Sequence, residues 1–301
     1  GRPYSFGRPS SGGSKAAYPC KSYGQGRINP AYFYGIFDPN DMRRDVSITM
    51  TGSNGKGVEK LIPFVPNSKA EGGGLTLNKW DENRQANPWV AAQRKSGING
   101  PYMRMSEVYL GYAEVCAALG DVVTGKQYLK TVRERSFPQG LADTDGFIAS
   151  FGNDLVRAII EERGFEYAGE GDRRWTLIRS GYLPEDIKRI KDMTKAMMDG
   201  LATKGYYEFE NGNIISAYIW TKLVDAKTIY GHRLTAQCPM DKVNDPVLYP
   251  GWRGQKDNWE EMGLNYGNSA PATNLAIKGL FEIVSEEEAA SLESQGYAKV
   301  N

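Results

Sequence analysis

The sequence predicts a mostly α fold with small β elements, an α+β chain in which tetratricopeptide-like helix pairs alternate with long loops. Three observations predict it. Residues 101–201 repeat their apolar positions at helical spacing, every three or four residues. Residues 45–66 carry two short strand-like runs around a Gly/Asn-rich turn. The chain of 301 residues holds 35 Gly, 18 Tyr and 6 Trp, a mix that favours ordered, aromatic-studded loops over a bare helical bundle.

Along the chain, residues 1–30 are rich in Gly, Ser, Pro and Arg and read as loop. Strands are expected at 46–50 and 58–65, joined as a hairpin by the turn 51–57. Residues 67–100 are irregular and carry Trp80 and Trp89. A helix follows at 103–119, with Met105, Val108, Tyr112, Val115 or Cys116, and Leu119 on one face. Pro101 suits its first turn, and Gly120 can adopt the left-handed conformation that ends it. Residues 125–135 pair back against it. A third helix spans 153–166 with Leu155, Val156, Ile159 and Ile160 inward, and 173–179 is helical until Gly181. Residues 184–201 form an amphipathic helix through Ile187, Ile190, Met193 or Thr194, and Met197. A strand at 213–220 precedes a short helical or turn segment at 221–230. Ser285 can cap a short acidic helix. The chain therefore divides into a loop-rich segment 1–100, a helical section 101–201, a closing segment 202–252 and an extension 253–301.

Composition excludes several function classes. Lys and Arg total 37 against 36 Asp and Glu, a net charge of +1, so there is no electrostatic footprint for nucleic acid. No run approaches the roughly 18 apolar residues of a membrane helix. Of Cys20, Cys116 and Cys238, Cys116 lies on a helix face as a small core residue. Cys20 and Cys238 could bridge or stay free. His232 is the single histidine and stands in Gly-His-Arg-Leu without a nucleophile elbow, so triads and zinc-hydrolase signatures have no basis. No metal spacing and no cofactor-binding glycine loop are present. A glycosidase needs only two carboxylates. The candidate pairs Asp143/Asp145 and Glu166/Glu170 have structural explanations, as turn chemistry and as partners for Arg163 and Arg173.

Four segments carry a resemblance. Arg104-x-x-Glu107-Val-Tyr-Leu-x-Tyr-Ala-Glu114 is one, and Tyr34-Gly-Ile-Phe-Asp-Pro-Asn-Asp-Met-Arg-Arg-Asp45 is a second. The third runs from Ile160-Glu-Glu-Arg163 to Gly-Glu170-Gly-Asp-Arg173, and the fourth from Arg233-Leu-Thr-Ala-Gln-Cys-Pro-Met to Tyr249-Pro-Gly-Trp252. In this order they resemble the signatures of the SusD/RagB family of outer-membrane nutrient-binding proteins. The resemblance implies a SusD-like fold and places this sequence in the C-terminal part of a longer protein. Membrane contact would then run through a lipid anchor that is missing from this chain. It also implies a peripheral, outward-facing lipoprotein of the outer membrane, with a TonB-dependent SusC-like transporter as partner.

Sugars are gripped by stacking on aromatic rings, with polar side chains reaching their hydroxyls. Loop aromatics are available at Tyr32, Phe33, Tyr34, Trp80, Trp89, Trp252, Trp259 and Tyr266. The resemblance favours loops before the 103–119 helix, so the expected ligand-binding residues are Trp80, Trp89, Tyr32, Tyr34, Asn83 and Arg84. The motif residues Arg104, Glu107, Glu114, Glu162, Arg163 and Arg173 read as ion pairs that fix helix packing. The expected function is non-enzymatic binding of an oligosaccharide or other nutrient and its delivery to the transporter. The alternatives are a structural interaction module without its own ligand, and a glycoside hydrolase.

Overall fold

Capping explains where most helices begin. The computed structural model describes residues 29–49, 51–53, 59–61, 76–80, 98–204, 206–216, 221–223, 229–230, 248–249 and 290. Among these, helix α1 spans Pro30–Gly35 and α2 Met42–Ser47. The long helical run comprises α3 (Met105–Ala118), α4 (Val122–Glu134), α5 (Thr144–Ala149), α6 (Leu155–Glu166), α7 (Arg173–Ser180) and α8 (Leu183–Lys204). Asn29, Asp121, Asp143 and Asp154 each place a side-chain oxygen on a first-turn N–H of α1, α4, α5 and α6. Gly120 and Gly181 hold the positive φ values, 87° and 79°, that turn the chain out of α3 and α7.

Several expectations move. Residues 30–35 are helical, not loop, because Asn29 caps the turn and Pro30 occupies its first position. Residues 46 and 47 belong to α2, not to a strand. The Asp41 carboxylate accepts from the Arg43 N–H at 3.0 Å and holds its guanidinium as well, which fixes a helical turn there. The strand pairing then starts at Ile48. Strand β1 (Ile48–Thr49) pairs with β4 (Thr76–Leu77), and β2 (Thr51–Ser53) with β3 (Glu59–Leu61), both antiparallel. Residues 143–146, read as a turn, instead open α5, with Asp143 as its cap. Pro101 lies ahead of α3, outside its first turn. The segment 221–230 is extended, not helical: β7 (Thr221–Leu223) pairs with β8 (Ile229–Tyr230) and with β9 (Leu248–Tyr249). Strands β5 (Tyr206–Glu208) and β6 (Ile214–Ser216) close a hairpin after α8. Cys20, Cys238, His232, Trp252, Trp259, Tyr266 and the Ser285 cap lie outside the described residues.

Helix α6 is the strut of the molecule. Its apolar residues Ala158 and Ile159 join Leu110 and Ala113 of α3, Leu129 and Val132 of α4, and Tyr167 in one core cluster. Phe165, at its end, enters a second cluster with Phe33 and Phe37, Met197 of α8 and Phe209. Phe33 and Phe37 stack at 5.2 Å, and Phe37 meets Phe165 at 4.8 Å. Each fully buried aliphatic or aromatic side chain contributes roughly 1.5–3 kcal/mol.

The charged residues of α6 are also buried, and each is neutralised. Glu162 accepts from Arg43 at 2.6 Å and from Arg133 at 3.1 Å. Glu161 binds Arg173 at 3.0 Å and Arg189 at 2.7 Å. Arg163 reaches Glu107 at 2.6 Å and Asp172 at 2.9 Å. Glu166 binds Arg104 and Arg135 at 2.6 Å, not Arg163 or Arg173 as expected from the resembled signature. Glu114 holds Arg179 through both oxygens. Removing one partner of such a pair leaves an uncompensated buried charge, at about 3–5 kcal/mol. The motif arginines and glutamates are thus the frame that ties residues 41–44, α3, α4, α7 and α8 to α6.

Helix α3 reverses its expected orientation except at Cys116, which is buried as expected. Its buried residues are Ser106, Leu110, Ala113 and Cys116. The larger residues Met105, Val108, Tyr112, Val115 and Leu119 face solvent, Leu119 at 82% exposure. The small face wins because α4 approaches very closely. A Cβ on Gly125 would stand 3.0 Å from the Ala113 carbonyl.

Candidate functional site

The frame leaves a cavity of about 640 Å³ beside the C-terminal end of α6. That volume lies within the range of small-molecule sites. Asn29, Tyr32 and Phe33 of the α1 region form one wall. Gly164, Tyr167, Ala168, Gly169, Glu170 and Gly171, at the end of α6 and the turn after it, form another. Arg173 and Arg174 of α7, Ile190 of α8 and Leu77 complete it.

Local sequence explains this geometry. Asn29 accepts from the Ala31 N–H at 2.9 Å and donates to Thr194 at 2.7 Å, which pins α1 to α8. Gly164 lets Tyr32 and Arg173 press onto α6. A Cβ there would meet the Arg173 Nη1 at 2.6 Å and the Tyr32 hydroxyl at 2.8 Å. Gly169 and Gly171 both take positive φ, 80° and 92°, so the chain can turn tightly between α6 and α7.

The cavity lining is mainly apolar and aromatic, with Asn29, Glu170, Arg173 and Arg174 as its amide and charged members. Burial pushes the Tyr32 phenol well above the usual tyrosine range, so it stays protonated at neutral pH. Burial does the same to Tyr167, whose hydroxyl pairs with Ser106 at 3.2 Å. The Arg104 and Arg163 guanidiniums lie 4.9 Å and 5.2 Å from the Tyr167 ring centre. Glu170 is the one carboxylate among the described lining residues. Arg104, at 2.8 Å, and Lys79 hold it. Burial lowers the Lys79 ammonium's pKa, and Glu170 offsets part of that.

Of the expected ligand-binding residues, the structure places Tyr32 in the cavity wall. Tyr34 and Trp80 are placed elsewhere. Both rings are buried, at 3% and 6% exposure, and neither lines the cavity. Tyr34 joins the second core cluster, with Arg44 over its ring at 5.3 Å. Its carbonyl accepts from Asn213 at 2.9 Å, which holds α1 against the β5–β6 hairpin. Trp89, Asn83 and Arg84 lie outside the described residues. Sequence reasoning missed Tyr167, Arg174 and the glycine-rich turn 169–171 as part of the cavity wall. The signal was there, in Tyr-Ala-Gly-Glu-Gly-Asp-Arg-Arg directly after a helix, but its charges drew a purely structural reading.

The proposed hydrolase pairs are occupied otherwise. Asp143 caps α5, accepting from Gly146 at 2.8 Å, while Asp145 pairs with Lys126. Glu166 and Glu170 are held in ion pairs. Among the described residues there is no group of three metal-ligating side chains, and no helix is long and apolar enough to cross a membrane.

Comparison with known proteins agrees with the four motifs. One curated relative is the SusD-like protein P25 of Formosa agariphila, 28% identical over 160 residues, which make up 53% of this chain. The match spans about a quarter of that relative's length, 26%. No solved structure matches the chain. The model of the SusD family matches residues 5–250, taking in α1 to α8, the ion-pair frame and the aromatic cavity, and the chain belongs to the SusD family.

Proposed function

We propose that the chain binds a glycan or similar nutrient reversibly at the outer-membrane surface and hands it to a TonB-dependent SusC-like transporter. The observation that carries this reading is the cavity walled by Tyr32, Phe33 and Tyr167. Rings supply a large contact area with little rotamer entropy to lose, and the flanking polar groups can orient hydroxyls. The lining carboxylate, Glu170, is locked between two cations, which argues for capture rather than general acid–base chemistry. Trp89, Asn83 and Arg84 are proposed to extend the binding surface from the segment after Trp80. Membership of the SusD family supports the location and the transporter partner. Calorimetry of the full chain against a panel of oligosaccharides tests the reading. Binding should fall at least tenfold in Tyr32→Ala. Binding that survives Tyr32→Ala unchanged would remove the cavity from the account.

A second reading, an interaction module, draws support from α3. Met105, Val108, Tyr112, Val115 and Leu119 repeat at three and four residues and are all exposed. Such a stripe packs against another helix. We infer that α3 and α4 form a tetratricopeptide-like pair whose outer face docks onto further helices. The two readings are compatible, since stripe and cavity involve different residues.

A further inference from the structure

We propose that the cavity selects an anionic sugar, one bearing a carboxylate or sulfate, and that Arg174 receives the charged group. The proposal rests on the cavity being the binding site, as argued above, and deepens it. The lining holds three charged side chains: Glu170, Arg173 and Arg174. Two are already neutralised. Glu170 lies between Lys79 and Arg104, and Arg173 is divided between Glu161 at 3.0 Å and Asp186 at 2.9 Å. Arg174 is exposed and makes no ion pair or hydrogen bond among the described residues. The uncompensated charge on this wall is therefore positive.

The backbone adds to it. Helix α7 begins at Arg173, against the cavity, and its flanking residue Asp172 makes no side-chain cap bond. The Asp172 carboxylate is taken instead by Arg163 at 2.9 Å and by the Thr176 hydroxyl at 2.9 Å. First-turn N–H groups of α7 thus remain open, with the positive end of the helix dipole behind them. An arginine presents a planar fork that matches carboxylate and sulfate oxygens. A sugar ring lying on the Tyr32 and Tyr167 wall would carry its acidic substituent toward that fork, at the exposed end of the cavity.

The test is an array of oligogalacturonates and sulfated carrageenan oligosaccharides, each beside its carboxyl-reduced or desulfated counterpart, probed with the labelled full chain. Charged sugars should be retained over their neutral counterparts. Arg174→Gln should weaken that binding about tenfold, the loss of one charge-assisted hydrogen bond, and Arg174→Lys should restore part of it. Calorimetry on the retained oligosaccharides measures the factor. Retention of only one acid class identifies the source of the charge and supports the proposal. If neutral counterparts bind equally well and Arg174→Gln changes nothing, the proposal is overturned while the cavity reading stands. If no sugar on the array is retained, or if Tyr32→Ala leaves all retention intact, the cavity reading itself falls and takes this proposal with it.

Discussion

Replacing Glu166 with Gln tests the frame at its most connected point. The wild-type carboxylate receives Arg104 on Oε1 at 2.6 Å, and Arg135 and Arg43 on Oε2 at 2.6 Å and 3.2 Å. A glutamine has the same shape but only one acceptor oxygen. In one amide orientation its NH2 faces Arg104; in the other it faces Arg135 and Arg43. Burial alone would raise the carboxyl's pKa, but hydrogen bonds from Arg135 and Arg104 and the charges of Arg135 and Arg43 bring it from 4.5 down to about 2. At about 1.4 kcal/mol per pH unit, that difference contributes about 3 kcal/mol at pH 7. A depressed carboxyl contributes its stability above its unfolded value of 4.5 and loses it as pH falls toward 2. By the same linkage, about 1 kcal/mol is left at pH 3. Urea unfolding followed by circular dichroism should therefore show Glu166→Gln about 3 kcal/mol less stable than wild type at pH 7, with the gap narrowing to about 1 kcal/mol at pH 3. A variant within about 1 kcal/mol of wild type at pH 7, or a gap independent of pH, would refute this account.

Gly164→Ala ordinarily strengthens a helix by about 1 kcal/mol. Here it should destabilise by about 1–3 kcal/mol, because the new methyl overlaps the Tyr32 hydroxyl and an Arg173 locked by Glu161 and Asp186. A rise in melting temperature would contradict the described packing. On the α3 stripe, Val115→Lys with Leu119→Lys should leave urea stability within about 0.5 kcal/mol, since both side chains are already in water. The same pair should abolish co-purification with the transporter complex if the stripe is a docking face, and unchanged recovery would count against that role.

Periodicity located five of the six helices of residues 105–204, all but α5, because apolar spacing and capping residues act locally. Asp121, Asp143 and Asp154 each announce a helix start through a bond spanning three residues. What the pattern could not tell is which face turns inward, since that depends on residues far away in sequence. In α6 nearly every side chain is buried, including Glu161, Glu162 and Arg163, because arginines from residues 43, 133, 173 and 189 arrive to neutralise the acids. No hydropathy count signals that. The cavity was hidden for a related reason. Its wall is assembled from residues 29–33, 77, 164–174 and 190, which share no motif.

The exposed stripe of α3 has a consequence for function. A helix that turns Ser106, Leu110, Ala113 and Cys116 inward while leaving Met105, Val108, Tyr112, Val115 and Leu119 in water forgoes apolar burial of roughly 0.8 kcal/mol per methylene. Close approach of α4 at Gly125 compensates locally, because a larger side chain on the inner face would collide with the backbone opposite. The outer residues are still free to be anything soluble, and packing within this chain does not require them to be apolar. Their 3-4-3-4 spacing is the one a second helix demands. The same helix supplies Glu107, and its flanking N-cap residue Arg104, to the ion-pair frame. A partner seated on the stripe would therefore bear on the element that holds Glu170 and Tyr167 in place. If the cavity captures ligand and the stripe docks a partner, the two would meet in α3: in the docked state, amides of residues 105–118 and 167–171 should exchange more slowly together, and protection confined to α3 would show that the two surfaces are uncoupled.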